Sequence, residues 1–415
     1  MKIVQLNRRD FLKSSALMGS GLTLGLSGFT KLATADTGSA LPPYLRISPD
    51  GSIYLGVPSS EMGQGSHTGL AMLLAEELEI EMSQIHRVET IHHPDFKNSL
   101  IAAAAPAFGL QITGYSTTIR TWYQPFRKLG ATARELFISA AALKWKVPVE
   151  ECLAKNGRIL HSKSGRSLGY GELTRVASRI KLPEHPKLKS PKQFRLLGRS
   201  VPRLDTPAKV NGTAVFGTDV DLPGMLHGTV RHCKVFGEKL ISVDDTKAKA
   251  VPGVISVIPL EDQAIVVADS TWDALRGAEE LVLHTSGGHK DLSDESIFRR
   301  FRSDLSKSGV TAAQVGDSSK AIAKANKVLE LEYEMPMQAH ATMEPLCATA
   351  SVNPDKCNIW APIQNQDAVM GVAMAVTNLT PEKIKINTTF LGGGFGRKFE
   401  VDFLVAPLVA SKVLG

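Results

Sequence analysis

Apolar and polar residues recur along the chain with two different periods, and these periods predict the order of its strands and helices. Residues 44–57 alternate around Asp50-Gly51, as in a β-hairpin. Residues 66–79 then show helical spacing after a glycine-rich turn. The spacing predicts an amphipathic helix with leucines on one side and glutamates on the other: Leu70, Leu73, Leu74 and Leu78 against Glu76, Glu77 and Glu79.

Further along, the same patterns predict a mixture of helices and strands. A second, alanine-rich helix is expected over 125–146, a hairpin at Asn156-Gly157 and a short helix over 171–180. The proline- and lysine-rich stretch 182–192 is a candidate domain boundary. Short strand-like runs and Asn-Gly or Pro-Gly turns fill 194–284 around one helix. The helix in this part is expected over 272–281. In the last part of the chain we expect a helix over 367–377 and strands over 328–333, 349–352 and 384–390.

The mixture of predicted elements indicates the α+β class, and length and composition agree with a globular protein. At 415 residues the chain is longer than one hydrophobic core usually supports, so two or three domains are expected. Hydrophobic residues make up 43% and charged residues 21%, which is ordinary for a folded protein. No apolar run is long enough to cross a membrane. Composition therefore argues against disorder and against an integral membrane protein.

The first 35 residues have the pattern of an export signal. Asn7-Arg8-Arg9-Asp10-Phe11-Leu12-Lys13 precedes a weakly apolar stretch, and Ala33-Thr34-Ala35 fits a small-x-small cleavage site. An amphipathic helix is the alternative, but four glycines between Gly19 and Gly28 oppose it. We interpret the segment as a twin-arginine signal, which predicts a periplasmic protein. Because that route carries folded proteins, it also indicates a buried cofactor inserted before export.

The positive net charge does not indicate a nucleic-acid partner. Of the formal charge of +7, residues 1–35 hold +4, from five cationic side chains against Asp10, which leaves +3 for the rest. This remainder is spread along the chain without a basic run interleaved with aromatic residues. No binding to nucleic acid is therefore predicted.

Cysteines and histidines give no metal site of their own. No CxxC pair and no zinc-finger spacing links the four cysteines: Cys152, Cys233, Cys347 and Cys357. We interpret them as buried free thiols, with disulfides as the alternative. His67, His86, His92, His93 and His340 lack partners at ligand spacing, which favours surface or core histidines over metal ligands. Any iron–sulfur cluster must lie on another polypeptide.

Three loops are candidates for chemistry. Glu61-Met62-Gly63-Gln64-Gly65 opens the first helix, where backbone N–H groups and the Gln64 amide can meet a ligand. Gly392-Gly393-Gly394-Phe395-Gly396-Arg397 follows an apolar strand and can wrap an anionic cofactor, with Arg397 neutralising its charge. Gly114-Tyr115-Ser116-Thr117-Thr118 offers hydroxyl donors to a phosphate. The respective alternatives are a helix-capping turn, a structural glycine turn and an ordinary Ser/Thr turn.

At these loops the sequence resembles the molybdenum hydroxylase family of xanthine dehydrogenases and aldehyde oxidases. Glu61 to Gly65 with Thr68 resembles the family's first cofactor loop, and Gly392 to Arg397 its second. His340-Ala341-Thr342-Met343-Glu344-Pro345 and Ala361-Pro362-Ile363-Gln364-Asn365 match stretches that precede the second loop. Residues 198–226 resemble the family's hammerhead domain. The first loop precedes that domain and follows a twin-arginine signal, an order that resembles the beta subunits of isoquinoline oxidoreductases.

The resemblance implies pieces of a molybdopterin-binding domain on both sides of an α/β hammerhead domain. The implied domains are a signal over 1–35, a first molybdopterin-binding segment over 41–190, the hammerhead domain over 194–290 and the first part of a molybdopterin-binding domain over 320–415. The cofactor-binding residues carried over are Gln64, Gly65, Ser116, Thr117, Gly393, Gly394, Phe395, Gly396 and Arg397. Neither a catalytic residue nor a metal ligand is assigned.

The same resemblance implies cofactors and partners. Molybdenum would be held by molybdopterin in its cytosine dinucleotide form, with iron–sulfur clusters on a small partner subunit. The whole enzyme would oxidise an aldehyde or an N-heterocycle with oxygen from water and pass electrons to that subunit. A cytochrome is a candidate for the next electron acceptor.

Two departures from the family pattern qualify these expectations. Tyr115 stands where the family has a glycine, which weakens the assignment of Ser116 and Thr117. Family members are longer and carry a glutamate in a Gly-Val-Gly-Glu context that acts as general base, which nothing in this sequence matches. We therefore expect an inactive fragment, truncated at its C-terminus. The alternative is a non-catalytic remnant or half of a split subunit that binds cofactor or a partner.

Overall fold

Helices and strands are mixed in both compact units of the chain, which confirms the predicted α+β class. This computed structural model describes residues 22–24, 44–104 and 110–415. The twin-arginine motif and the cleavage site lie outside the described residues. The first unit comprises Met1–Leu222 and Thr342–Gly415, and the second comprises Pro223–Ala341. In the described part, no helix is both long and apolar enough to span a membrane.

The N-terminal part of the first unit contains the predicted hairpin and helices. Its strands are β1 (Leu22–Leu24), β2 (Leu45–Ile47), β3 (Ile53–Val57), β4 (Ile85–Thr90), β5 (Cys152–Lys155), β6 (Arg158–His161) and β7 (Ser167–Gly169). Its helices are α1 (Ser66–Leu78), α2 (Ser99–Ala104), α3 (Thr118–Trp145), α4 (Tyr170–Ala177) and α5 (Thr206–Val210). β1 to β4 form one sheet, parallel between β3 and β4 and antiparallel elsewhere, and β5 to β7 form an antiparallel sheet. The expected hairpin turns at Asp50-Gly51 and Asn156-Gly157 are confirmed.

Helix α3 begins at Thr118, so the predicted start at Pro125 was wrong. Proline favours the first turn of a helix, which made Pro125 look like a start signal. In the structure the preceding turn is held by packing, because Trp122 and Phe126 are both buried in the core. Tertiary contacts therefore keep the chain helical through a proline that has no N–H to donate.

The glutamate side of α1 is buried, contrary to the predicted amphipathic pattern. Glu76 and Glu77 are fully buried, and Glu79 is partly so. Lys189 Nζ lies 2.7 Å from Glu76, and Arg127 Nη2 lies 2.7 Å from Glu77. These cations are distant in sequence, so the helical period alone could not show that the acidic side is covered.

The stretch 182–192 does not separate two compact units. Lys189 N donates to Glu77 on α1, and the backbone N–H groups of Arg195 and Leu196 donate to Glu76. This segment is therefore part of the first unit, and the chain divides after Leu222. The expected boundaries at 190–194 and 290–320 thus differ from the observed division, because charge pairing binds the lysine-rich stretch to α1.

Helices α1 and α3 approach each other closely at Gly130. A β-carbon at Gly130 would lie 2.5 Å from the Leu74 carbonyl oxygen and 3.0 Å from Glu77 Cβ. A backbone oxygen cannot move aside as a flexible side chain does. The glycine is therefore required by the packing of the two helices.

Replacing Gly130 by alanine is expected to destabilise the first unit by about 1–3 kcal/mol, because the helices must separate to fit the methyl group. Gly371→Ala is the matched control, since Gly371 is also helical but exposed, with nothing within 4 Å of an added β-carbon. That control should gain about 0.5–1 kcal/mol from helix propensity. Chemical denaturation measures both variants, and a Gly130→Ala protein as stable as the wild type would contradict the close approach.

The second unit consists of short strands and helices. They are β8 (His227–His232), β9 (Glu238–Asp244), α6 (Thr246–Lys249), β10 (Val254–Pro259), β11 (Gln263–Ala268), α7 (Thr271–Glu279), β12 (Val282–Gly287), α8 (Asp294–Leu305) and α9 (Ser318–Ala323). β10, β11 and β8 form an antiparallel sheet in that order, and β9 pairs with β12. Ala264, Val266 and Ala278 lie in the small core of this unit, so the helix predicted over 272–281 is confirmed as α7.

The strand predicted over 328–333 was wrong. The segment does alternate, and Leu329, Leu331 and Tyr333 are all exposed. A strand also needs a hydrogen-bonded neighbour, and none of the described residues pairs with this segment. Alternation was therefore a correct observation but an insufficient criterion.

The C-terminal part of the first unit holds β13 (Thr349–Asn353), β14 (Lys356–Ala361), α10 (Gln366–Thr377), β15 (Ile384–Thr388) and α11 (Val405–Leu414). β14 pairs with β13 in antiparallel and with β15 in parallel fashion. Ile359, Val369 and Leu408 are fully buried in the core of this part. Short 3-10 helices of the first unit are Met82–Gln84, Pro94–Phe96, Val149–Glu151, Pro191–Gln193, Gly217–Asp219, Pro381–Lys383, Arg397–Phe399 and Asp402–Leu404.

Candidate functional site

The three candidate loops lie beside one another, where the N-terminal and C-terminal parts of the first unit meet. Ser60 N donates to Thr113 Oγ1 at 2.9 Å, and Ser60 Oγ donates to the Ile363 carbonyl oxygen at 2.6 Å. Leu391 N, just before the glycine loop, donates to the Glu61 carbonyl oxygen at 3.0 Å. Segments that are far apart in sequence therefore form a single site.

In the first loop, the buried Glu61 carboxylate binds the backbone N–H groups that were predicted to meet a ligand. Its oxygens accept hydrogen bonds from the backbone N–H groups of Gly63 (2.9 Å), Gly65 (3.0 Å) and His67 (3.0 Å). Arg203 Nη2 lies 3.0 Å from the same carboxylate and balances its charge. The start of α1 thus carries its own anion, so Gly65 offers a ligand its bare Cα and no free N–H.

The Gln64 side chain is exposed, and its amide orders the loop. Oε1 accepts from Met62 N at 2.8 Å, while Nε2 donates to the Ser60 carbonyl oxygen at 2.8 Å and to Ser66 Oγ at 3.0 Å. Both N–H groups are in use, and the oxygen keeps one lone pair. Gln64 can therefore accept a hydrogen bond from a ligand at once, and can donate one only after a loop bond is released.

In the second loop, the backbone is in conformations that glycine adopts most easily. Gly393 and Gly396 have φ values of 92° and 94°. Phe395, at φ 51°, is 70% exposed, and its ring lies over Gly393. At Gly394 there is no room for a side chain, because an added β-carbon would meet Gln364 Oε1 at 2.5 Å. The loop presents bare backbone and one exposed aromatic ring.

Arg397 at the end of this loop is paired within the chain. Its two terminal nitrogens donate to the two carboxylate oxygens of Asp402, both at 2.8 Å. The guanidinium lowers the pKa of Asp402, chiefly through these hydrogen bonds. In this arrangement the charge of Arg397 is balanced by Asp402, so neutralising a cofactor requires the pair to open.

Behind the glycine loop lies a buried ion pair that sequence reasoning did not single out. Lys398 is fully buried, and its Nζ contacts Glu344 Oε2. Glu344 also accepts from Gly217 N at 2.7 Å and from Gly392 N at 2.8 Å. Burial, followed by the charge of Glu344, raises the pKa of the neighbouring Cys347 thiol to about 12. A sequence signal existed, since both charges lie in or beside the matched motifs, but nothing in the sequence pairs them.

The third loop places one of its two assigned hydroxyls in the interior and the other outside. Thr117 Oγ1 is buried, accepts from Asn98 Nδ2 at 2.6 Å and donates to the Gly114 carbonyl oxygen at 2.8 Å. Ser116 is exposed and, like Tyr115, has a positive φ. The Tyr115 ring meets Phe399, with ring centroids 6.2 Å apart, so this loop lies close to the end of the glycine loop. Ser116 is the hydroxyl of the pair that can reach a ligand.

Cysteines and histidines of the described chain have structural environments. All four cysteines are free, as predicted, but only Cys152 and Cys357 are buried. His92 Nε2 lies 2.6 Å from Asp367, a partner that sequence spacing could not suggest. His67 is buried, with Nε2 3.1 Å from the Ser59 carbonyl oxygen and 3.0 Å from Thr90 Oγ1. Among the described residues, no group of three or more such side chains could hold a metal ion.

Burial lowers the pKa of His67, which predicts a pH-dependent stability. As the pH falls below about 6.5, the unfolded state binds a proton that the folded state resists. Stability is therefore complete above that pH and declines below it, by up to about 1.4 kcal/mol per pH unit. In His67→Gln, which keeps a donor for Ser59, the slope between pH 6.5 and 5.5 should be smaller. Equal slopes for both proteins would show that His67 does not titrate in this way.

Comparison with protein families gives one description for two parts of the chain. Models of a molybdopterin cofactor-binding domain match residues 4–222 and residues 302–415, and the first match alone covers more than half of the chain. The chain belongs to the molybdopterin cofactor-binding domain family. All three candidate loops lie inside the matched ranges.

Curated relatives of this molybdopterin-binding chain support the same assignment. It is 29% identical to the beta chain of isoquinoline 1-oxidoreductase from Brevundimonas diminuta, over 97% of this chain and 57% of that protein. A nicotinate dehydrogenase subunit of Pseudomonas putida is 29% identical over 89% of this chain and 31% of its own length. A membrane-bound aldehyde dehydrogenase (pyrroloquinoline-quinone) of Gluconacetobacter polyoxogenes is 28% identical over 99% of this chain and 54% of its own length.

These relatives confirm the predicted kinship with molybdenum-binding oxidoreductase subunits of the xanthine dehydrogenase family. The chain spans about half the length of two of these relatives and less of the third.

Proposed function

We propose that this chain is the molybdopterin-binding part of a molybdenum hydroxylase subunit that oxidises aldehydes or N-heterocycles. The convergence of the three candidate loops within the first unit carries this proposal, because loops from both matched domains contribute to one site. The substrate class is inferred from the names of the relatives, which refer to isoquinoline, nicotinate and aldehyde.

The residues at the site fit a large ligand with many polar atoms. Gly393, Gly394 and Gly396 present a backbone surface without side chains, and Ser116 presents an exposed hydroxyl. A molybdenum centre bound here supplies two-electron oxidation of the substrate, with water as the source of oxygen. The chain's own residues bind and orient the cofactor.

The carboxylates around the loops do not act as a free base in this arrangement. The three carboxylates each have a cationic partner: Glu61 pairs with Arg203, Glu344 with Lys398 and Asp402 with Arg397. A general base needs an acceptor oxygen that is available to the substrate. We therefore assign these three carboxylates to the support of the loops and not to proton transfer.

Finer parts of the proposal rest on the sequence. We propose the cytosine dinucleotide form of the cofactor, electron transfer to iron–sulfur clusters on a small partner subunit, and a cytochrome as a candidate acceptor beyond it. The four free, scattered cysteines support clusters on another polypeptide. Export to the periplasm through the twin-arginine route, and a hammerhead domain over 194–290, complete the proposal.

Direct measurement of bound pterin and molybdenum tests this function. The full chain, produced in a host that makes the cofactor, should carry both, as measured by fluorescence of the released pterin and by elemental analysis. Gly394→Ala should lose them, because its methyl group collides with Gln364 Oε1. Gly309→Ala, which has open space around it, is the control and should keep them. A folded wild-type chain without pterin or molybdenum would overturn the proposal.

A further inference from the structure

Gln364 contacts the segments that flank the second and third candidate loops. Its backbone N–H donates to the Lys398 carbonyl oxygen at 2.8 Å, and its carbonyl oxygen accepts from Thr113 N at 2.7 Å. Its side-chain Nε2 donates to the Thr113 carbonyl oxygen at 3.0 Å. Its Oε1 faces Gly394, whose added β-carbon would lie 2.5 Å away and also 3.0 Å from Met62 Sδ. One residue thus joins the end of the second loop to the segment just before the third, and its side-chain oxygen faces the glycine loop.

The side-chain oxygen of Gln364 is the polar atom of this residue that has no hydrogen-bond partner in the described chain. The residue is only 5% exposed, and Oε1 is buried without a hydrogen-bond partner among the described residues. A buried acceptor in this state costs about 1–3 kcal/mol. Such a group, facing a loop residue that has no side chain, indicates a partner that comes from outside the chain.

The orientation of the amide is fixed by its neighbours. Rotating it by half a turn would bring the oxygen against the Thr113 carbonyl, so that two acceptors would face each other. The donor side must therefore point to Thr113, and the acceptor side must point to Gly394. The free lone pairs are directed at the glycine loop by necessity.

We propose that Gln364 is a positioning residue of the cofactor site and that its Oε1 accepts a hydrogen bond from an N–H group of the bound pterin. The inference rests on the proposed function. Pterin rings carry amino and ring N–H donors, which are complementary to an amide oxygen. Gly394 has no side chain and the flexible Met62 thioether lies beside it, so a small shift of the loop opens the way to the oxygen.

Gln364→Met, which keeps the length of the side chain and removes the acceptor, tests the proposal in the full chain. Its pterin content should fall about tenfold, the effect expected for one lost hydrogen bond of roughly 1.4 kcal/mol. Gln263→Met is the control, because Gln263 lies on β11 in the second unit, away from the three candidate loops of the first unit. It should retain the wild-type pterin content.

Melting temperatures separate this role from a purely structural one. The cofactor should raise the melting temperature less in Gln364→Met than in the wild type, whereas a structural role would lower the melting temperature of the apo protein and leave that increment unchanged. Wild-type pterin content in a folded Gln364→Met protein overturns this inference alone, and a wild type without pterin overturns the proposed function with it.

Discussion

Replacing Glu77 by alanine is expected to lower the free energy of unfolding of the first unit by about 3–5 kcal/mol, because it leaves a buried arginine without its counter-charge. Arg127 donates to Glu77 Oε1 from Nε at 2.9 Å and from Nη2 at 2.7 Å, with both side chains buried. Arg134 Nη1 lies 3.2 Å from the other oxygen, and Lys189 N donates to it at 3.0 Å. The carboxylate therefore joins α1, α3 and the lysine-rich segment.

Tryptophan fluorescence during chemical denaturation can isolate this effect. In a Trp272→Phe background the remaining tryptophans are Trp122, Trp145 and Trp360, which all lie in the first unit. Glu184→Ala is the control, because Glu184 forms an exposed pair with Lys181 and its replacement should change stability by no measurable amount. If Glu77→Ala behaves like this control, the buried cluster is not a source of stability.

Much of the fold was predictable because it depends on local signals. The Asp50-Gly51 and Asn156-Gly157 turns are predicted by their own residues, since positive φ values favour Gly and Asn. Local signals failed where distant residues decide the outcome. The acidic side of α1 is buried by cations from 127–195, and the alternating segment 328–333 has no neighbour among the described residues with which to pair.

The site was predictable as three separate loops but not as an arrangement. Glycine spacing indicates where a backbone can approach a ligand, and the family resemblance supplies the ligand. The ion pairs could not be predicted, because Glu61 meets Arg203 and Glu344 meets Lys398 only after folding. The resemblance includes Gln364 in a matching stretch but gives it no role, because its importance comes from contacts that form only after folding.

Replacing Lys398 by methionine is expected to destabilise the first unit by about 3–5 kcal/mol, because the buried Glu344 carboxylate loses its cation. Lys398 is fully buried and Glu344 is 7% exposed, so water cannot take the place of the missing charge. Glu344 also binds Gly392 N at the entrance of the glycine loop and Gly217 N from a distant segment. Loss of the pair should therefore loosen the loop and reduce the pterin content of the full chain as well.

A double-mutant cycle distinguishes this charge effect from a loss of packing. Glu344→Gln alone leaves Lys398 buried without an anion and should also be strongly destabilised, while the double variant carries neither charge and keeps a similar volume. The stability loss of the double variant should then be smaller than the sum of the two single losses, by about 0.5–3 kcal/mol of coupling energy. Strictly additive losses in the Trp272→Phe background would mean that Lys398 acts through its methylene groups. In that case the glycine loop is held by apolar packing, and the buried pair contributes nothing beyond it.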